Sequence, residues 1–166
     1  MIRHFTATGF VVDGERTLLH WHRKLDTWMP PGGHIEEEEE PIEALLREIR
    51  EETALEAEVV TEFREHDFTS PRQLPPPRVI LVEDIGGPNP DHQHIDLIYF
   101  CRSLGPALGF TADKEMKQRW VSLQELEDCS GLELDGRLLP IADDVRVLAI
   151  EAILAVRAAT PAAAAG

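Results

Sequence analysis

Cysteine, aromatic residues and positive charge are all scarce in this chain, and each shortage removes a class of protein. The 166 residues include two cysteines, Cys101 and Cys129, which form neither a CxxC pair nor a disulfide framework. A disulfide-stapled scaffold is thereby excluded, and a reducing cytoplasm is the expected home. No uninterrupted apolar run approaches the roughly 18 residues of a membrane span. The opening MIRHFTATGF also lacks the basic segment and long apolar core of a secretion signal. A soluble protein is expected, with no membrane partner. Basic residues number 16 against 31 acidic ones, a formal charge of −15. A surface of that sign repels nucleic acid and anionic lipid. The length fits one domain, expected over 1–158, that buries about 70% of the surface of its unfolded chain. An alanine-rich tail, 159–166, is expected to be mobile beyond it. There are no internal repeats.

Carboxylates are abundant, and they are concentrated in one place. The stretch Pro30 to Leu55 reads PPGGHIEEEEEPIEALLREIREETAL. Pro41 suits the first turn of a helix, where its missing N–H has no partner to lose. Ile42, Leu45, Leu46 and Ile49 then follow at the spacing of a buried stripe, so a helix is predicted from Pro41 to Thr53. Measured from Glu48, Glu51 lies about 60° to one side and Glu52 about 40° to the other, away from the apolar stripe. Like charges so spaced cost roughly 0.2–0.5 kcal/mol each, and Arg47 and Arg50 offset only part of it. A hard divalent cation, which takes oxygen ligands, would make the cluster favourable. Gly32-Gly33 just before it suits a backbone with φ > 0 or a close approach to a ligand, with carbonyls free for a cation and N–H groups for phosphate. Taken singly, a glutamate run is a solvated face and a glycine pair a turn.

The spacing of these residues together resembles the Nudix box, G-x5-E-x7-R-E-U-x-E-E-x-G-U with U aliphatic. Gly33, Glu39, Arg47, Glu48, Ile49, Glu51, Glu52 and Leu55 fall on its fixed positions. One position departs: Ala54 stands where the family has Gly, and where a helix exit favours left-handed geometry. Glu38 also replaces a Gly found in many relatives. The resemblance implies hydrolysis of a nucleoside diphosphate linked to another moiety, with Mg²⁺ or Mn²⁺ and water attack on phosphorus. It implies Glu48, Glu51 and Glu52 as metal ligands, with the Gly33 carbonyl a further candidate and Glu39 and Arg47 as braces of the loop and helix. Cations at such a site neutralise pyrophosphate and lower the pKa of water, and Glu52 is the first choice for the group that takes the water's proton.

Along the rest of the chain, Phe5–Val12 and Arg16–Trp21 read as a β-hairpin about Asp13-Gly14. The segment His20 to Met29 carries Arg23 and Lys24, cations that suit substrate phosphate beside an acidic site. Trp28 is expected to pack beneath the glycine loop, and His34 either binds phosphate or caps that loop. A strand is predicted at Ala57–Phe63, a proline-rich surface loop at Thr69–Arg78 and a short strand at Val79–Val82. A central strand at His94–Cys101 turns His94, Asp96, Ile98 and Phe100 to one face. His92, His94 and Asp96 lack a third imidazole fixed by spacing, so a hydrogen-bonded strand end is preferred to a transition-metal site. Leu104–Asp113 reads as a loop, and Glu115 as a solvated acid in a region where some Nudix proteins carry a catalytic one. Ser122 to Glu125 is a capping box opening a short helix to Asp128, and Val145, Leu148, Ala149, Ala152, Ile153 and Val156 trace a last helix over Ile141–Ala158.

The expected fold is α/β, the Nudix-type α/β/α sandwich around a mixed β-sheet. The expected partner is a small nucleotide substrate, with homodimerisation left open. A non-catalytic nucleotide-binding or regulatory module on the same fold is the alternative, although it would be favoured by loss of box carboxylates and all are present. A DNA-binding version lacks a basic helix. An isomerase acting on a prenyl diphosphate would need a reactive cysteine, and neither cysteine has an activating setting.

Overall fold

The computed structural model describes residues 1–67, 69–86, 91–109, 111 and 117–160. Two long strands, β1 (Ile2–Asp13) and β7 (His92–Pro106), lie parallel at its centre, in register from Ile2 opposite His92 to Val12 opposite Arg102. Each has an outer edge shared by two shorter strands. On β1, the N-terminal half pairs with β4 (Gly32–His34) and the C-terminal end turns through the predicted hairpin into β2 (Arg16–His22). On β7, β6 (Val79–Ile85) covers the N-terminal half and β5 (Leu55–Val59) the C-terminal half, both antiparallel. The flanking strands β3 (Thr27–Met29) and β8 (Gln118–Ser122) pair with β2 and complete a mixed sheet of eight strands among the described residues.

Helices cover both faces because the strand side chains alternate. Ala7 and Val11 of β1 and Tyr99 and Cys101 of β7 point to one face, where α1 (Pro41–Thr53) packs Leu45 and Ile49 on them. Phe10 and Val12, with Ile98 and Phe100, point to the other face. There α2 (Leu123–Asp128) contributes Leu126, and α3 (Asp143–Ala158) contributes Val145, Ala149, Ala152, Ile153 and Val156. The result is the α/β/α sandwich expected from the sequence. A small hairpin, β9 (Leu132–Leu134) with β10 (Arg137–Leu139), links α2 to α3. No helix among the described residues is long and apolar enough to cross a membrane.

Several boundaries differ from expectation for one reason, the length of β7. Leu104 to Pro106, expected in a loop, continue that strand because β5 pairs there, Leu55 opposite Pro106 and Glu56 opposite Gly105. Pairing therefore starts at Leu55 rather than Ala57. Likewise β6 runs on to Ile85 against His92. The expected mobile tail lies, beyond Thr160, outside the described residues.

Two features of the scaffold carry consequences for stability. Helix α1 ends on Ala54 at φ 56°, ψ 33°, the left-handed geometry usually given to glycine, with its N–H donating to the Arg50 carbonyl. A Cβ in that conformation costs roughly 1–2 kcal/mol, and the added unfolded-state freedom of glycine takes back about 0.4–1 kcal/mol. Ala54→Gly is expected to raise the urea midpoint by a net stabilisation of about 0.5–1 kcal/mol; an unchanged or lower midpoint would show that the helix exit relaxes around Ala54. The second feature is His20, 3% exposed on β2. Burial, helped by the neighbouring His22 and opposed by a backbone bond at Pro30, lowers its imidazole from 6.5 to about 4. The folded chain thus refuses a proton that the unfolded chain accepts. The stability this group confers is present above about pH 6.5 and is lost as pH falls towards about 4. That amounts to up to about 3 kcal/mol. Urea unfolding of wild type and His20→Gln across that window should show a steeper acid decline in the wild type; parallel declines would remove His20 from the acid response.

Candidate active site

The glutamate run and the helix after it separate into three functions. Glu36, Glu37 and Glu38 are exposed. Glu40 opens α1, its backbone N–H donating to the Glu43 carboxylate at 3.0 Å. Arg72 of the proline-rich loop pairs with Glu40 at the same end of the helix. Glu39 turns inward to Arg47, whose guanidinium donates to both of its oxygens at 2.7 and 2.8 Å. That fork is the strong geometry for a guanidinium and a carboxylate. It holds the Glu39 carboxyl down at about 2 and raises Arg47 above its ordinary value. The same guanidinium reaches Glu48 at 2.8 Å, Glu51 at 3.3 Å and the His34 carbonyl at 3.2 Å.

Glu48, Glu51 and Glu52 share one side of α1, but different groups hold them. Arg47 gathers Glu48 and Glu51, whereas Glu52 accepts the Gly32 N–H at 3.1 Å. Burial is the main reason the Glu52 carboxyl is raised to about 7; the Gly32 bond opposes the shift, and repulsion from Glu48 and Glu51 adds to it. A cluster that must share one arginine and raise one carboxyl is short of positive charge.

Gly32 and Gly33 meet this cluster through space, not through unusual dihedrals. Both are strand residues of β4, and neither has positive φ, so the left-handed turn that the glycine pair suggested is absent. A Cβ at Gly33 would lie 2.4 Å from Glu48 Oε1, and one at Gly32 would lie 2.6 Å from the Ala7 carbonyl oxygen. Flanking ladder bonds, Gly9 N–H to Pro31 and Ile35 N–H to Phe5, make Ala7 and Gly33 a hydrogen-bonded pair. The Gly33 carbonyl is thereby committed to β1 with one lone pair and keeps the other for a cation.

Glu52 is the carboxylate of the three that lines a cavity of about 380 Å³ opening beside the two glycines. The other walls come from the face of β1 and β7 that α1 does not cover. Asp96 sits there 4% exposed, accepting from Thr6 Oγ1 at 2.9 Å and Thr8 Oγ1 at 3.0 Å. Burial raises its carboxyl in spite of those bonds. Burial, then repulsion from Asp96 and Asp144, raises Glu83 to about 7. Glu83 gave no sign in the sequence, because it stands beside a second acid, Asp84, just past the apolar run Val79–Val82.

Of the cations expected at substrate, Lys24 reaches the cavity wall from the β2–β3 turn, and Arg23 lies beside it outside that wall. His34 lines the cavity too, but its ring faces other imidazoles: the His4 centroid is at 5.2 Å and that of His94 at 4.9 Å. The hydrogen-bonded strand end preferred for His92 and His94 is not what forms. Their Nε2 atoms are buried and without hydrogen-bond partners, and the missing imidazoles come from β1 and β4, a juxtaposition that spacing within β7 cannot reveal. Trp28 is buried, 2% exposed, in the core cluster that includes α2 and α3 residues, edge-on to Trp21. Glu115 lies outside the described residues.

Comparison with known proteins agrees with this geometry. A family model described as the NUDIX domain matches residues 2–140. The chain is 29% identical over 105 residues to the phosphatase NudJ of Escherichia coli strain K12, an alignment that takes in 63% of this chain and 58% of the relative's length. The crystal structure of a NUDIX-family hydrolase from Clostridium perfringens superposes with a TM-score of 0.71 at 28% identity, covering 94% of this chain and 99% of that one. A NUDIX hydrolase from Nitrosomonas europaea shares the fold at a TM-score of 0.61 and 15% identity, covering 92% and 89%. The Gly33 to Leu55 box lies within the matched span, and the chain belongs to the Nudix family.

Proposed function

We propose that the protein is a divalent-metal-dependent pyrophosphohydrolase acting on a nucleoside diphosphate linked to a further group: a nucleoside triphosphate, ADP-ribose or a nucleotide sugar. The observation that carries this is Glu52, a half-buried carboxylate on the α1 face of Glu48 and Glu51, lining a cavity together with Gly32 and Gly33. The likeness to a protein named as a phosphatase supports the same class of chemistry.

The residues fit a hard cation. Glu48, Glu51, Glu52 and the Gly33 carbonyl offer only oxygen donors, as Mg²⁺ and Mn²⁺ require, and the side-chain-free Gly33 leaves Glu48 its place. The cation, when bound, supplies charge neutralisation of the pyrophosphate and a lowered pKa for water. Arg47 is the counter-charge of Glu48 and Glu51, and its bidentate hold on Glu39 anchors it beside them. Glu52 takes the proton of the attacking water at a carboxylate oxygen as the new P–O bond forms and the bridging P–O bond breaks. A carboxyl raised towards neutrality is matched to that exchange. Lys24 and His34 from the cavity wall, and Arg23 beside it, are the contacts proposed for the anionic oxygens of substrate. Positive charge there counters the repulsion that a chain of −15 exerts on a polyphosphate.

The test is a hydrolysis screen at alkaline pH with Mg²⁺ and with Mn²⁺ across nucleoside triphosphates, ADP-ribose, dinucleoside polyphosphates and nucleotide sugars, run beside Glu52→Gln. Release of a mononucleotide by wild type, with kcat reduced about a hundredfold or more in the variant and an unchanged melting temperature, is the expected outcome. Near-normal turnover by Glu52→Gln would remove Glu52 from the mechanism. Tight nucleotide binding without turnover would make the protein a binding module.

A further inference from the structure

Four imidazoles from three strands converge at the end of the sheet next to the carboxylate site. The parallel register sets His4 of β1 opposite His94 of β7, two residues from His92 on the same face, and the antiparallel register of β4 sets His34 opposite Thr6. One nitrogen from each of His4, His34 and His92 lies within 4.8 Å of the other two. Ring centroids are 4.5 Å apart for His4 and His92, and 4.9 Å for His92 and His94.

We propose that His4, His34 and His92 form a second metal site, separate from the Nudix carboxylates and selective for a borderline transition ion such as Zn²⁺. Three features carry it. First, the donor set is nitrogen alone, which suits Zn²⁺, Ni²⁺ or Cu²⁺ and is poorly matched to Mg²⁺. Second, Zn–N bonds of about 2.0–2.1 Å in a tetrahedral shell put ligand nitrogens about 3.4 Å apart, so closing the group requires side-chain rotations of about an ångström and no movement of the strands. Third, the His92 and His94 Nε2 atoms are buried without partners. A buried polar atom left so is destabilising, and coordination through His92 Nε2 relieves one of the two. His94 is the nearest further imidazole and completes the surroundings of the ion.

An ion held there ties the N-terminal end of β1 to β4 and β7. It also puts a positive charge on the wall of the cavity that Glu52 shares, since His34, His92 and His94 all line it. With the ion bound, an anionic ligand would meet the cation in place of the His34 imidazole. The site itself does not depend on the hydrolase reading.

The experiment is calorimetric titration of the full chain, free of any polyhistidine tag, with ZnCl₂ at neutral pH, followed by Co²⁺ substitution read by its visible absorption. One Zn²⁺ per chain, weakened at least about tenfold by His4→Gln and by His92→Gln and retained by Glu52→Gln, is the expected result. His4 is exposed and at the edge of the fold, so its variant keeps the test independent of folding. Absence of Zn²⁺ binding, or binding indifferent to both histidine variants and lost in Glu52→Gln, would overturn the proposal. The second of those outcomes would place the ion on the α1 carboxylates and leave the hydrolase reading intact.

Discussion

The parallel pairing of β1 with β7 is the constraint on which the rest of the molecule depends. Eleven residue pairs hold two central strands together, and each is flanked along its outer edge by two shorter strands in succession. Side-chain alternation then divides the sheet lengthwise into two faces. On the face that α1 does not cover there is a crosswise division as well: His4, Thr6, Thr8, His92, His94 and Asp96 come first along the two strands, and Phe10, Val12, Ile98 and Phe100 of the core follow. All of the polar set except His4 lines the cavity. Parallel strands buried on both faces are normally apolar throughout, and on this face the pair is so only past the cavity.

Electrostatics at α1 follow from a shortage of cations. Arg47 serves Glu39, Glu48 and Glu51 together, and its strongest commitment is to Glu39, the one whose carboxyl it holds near 2. Glu48 and Glu51 are held by a single nitrogen of the same group, with Glu51 more than half exposed. The brace is therefore firm on the loop side and loose towards Glu48 and Glu51, and the fork that fixes the loop to the helix does not depend on those single hydrogen bonds.

Much of this was legible in the chain, and the parts that were not share a cause. Helix α1 was readable to the residue because proline, an apolar stripe and a left-handed exit are all local signals. The hairpin of β1 and β2, the Ser122 capping box and the alternation of His94 to Cys101 are local too. The pairing of β1 with β7 joins residues 90 apart, and no local pattern encodes it. That pairing brought His4 to His92 and His94 and so turned an expected hydrogen-bonded strand end into part of an imidazole group; equally distant pairings of β7 with β5 and with β6 extended it through the expected loop and set Glu83 opposite His94. The short strands β3, β4, β9 and β10 escaped for the complementary reason: three residues are too few to show a period of two.

The glycines of the box show how the two levels meet. Of the two uses expected of Gly33, positive φ or a close approach, its backbone is an ordinary strand and the close approach is what it provides, by the absence of a Cβ where Glu48 lies. Gly9 does the same for the apolar half of the helix, since a Cβ there would meet Leu45 Cδ1 at 2.8 Å and Ile49 Cδ1 at 3.1 Å. A strip without side chains thus runs across β4 and β1 beneath α1, one end receiving a carboxylate and the other a leucine and an isoleucine. The helix can approach the sheet closely only along such a strip, and close approach is what brings Glu52 to the Gly32 N–H at the cavity wall. The fixed glycine of the motif is in this fold a distance requirement between a strand and a carboxylate, and the dihedral requirement falls instead on Ala54, the one signature position at which the chain departs from the pattern.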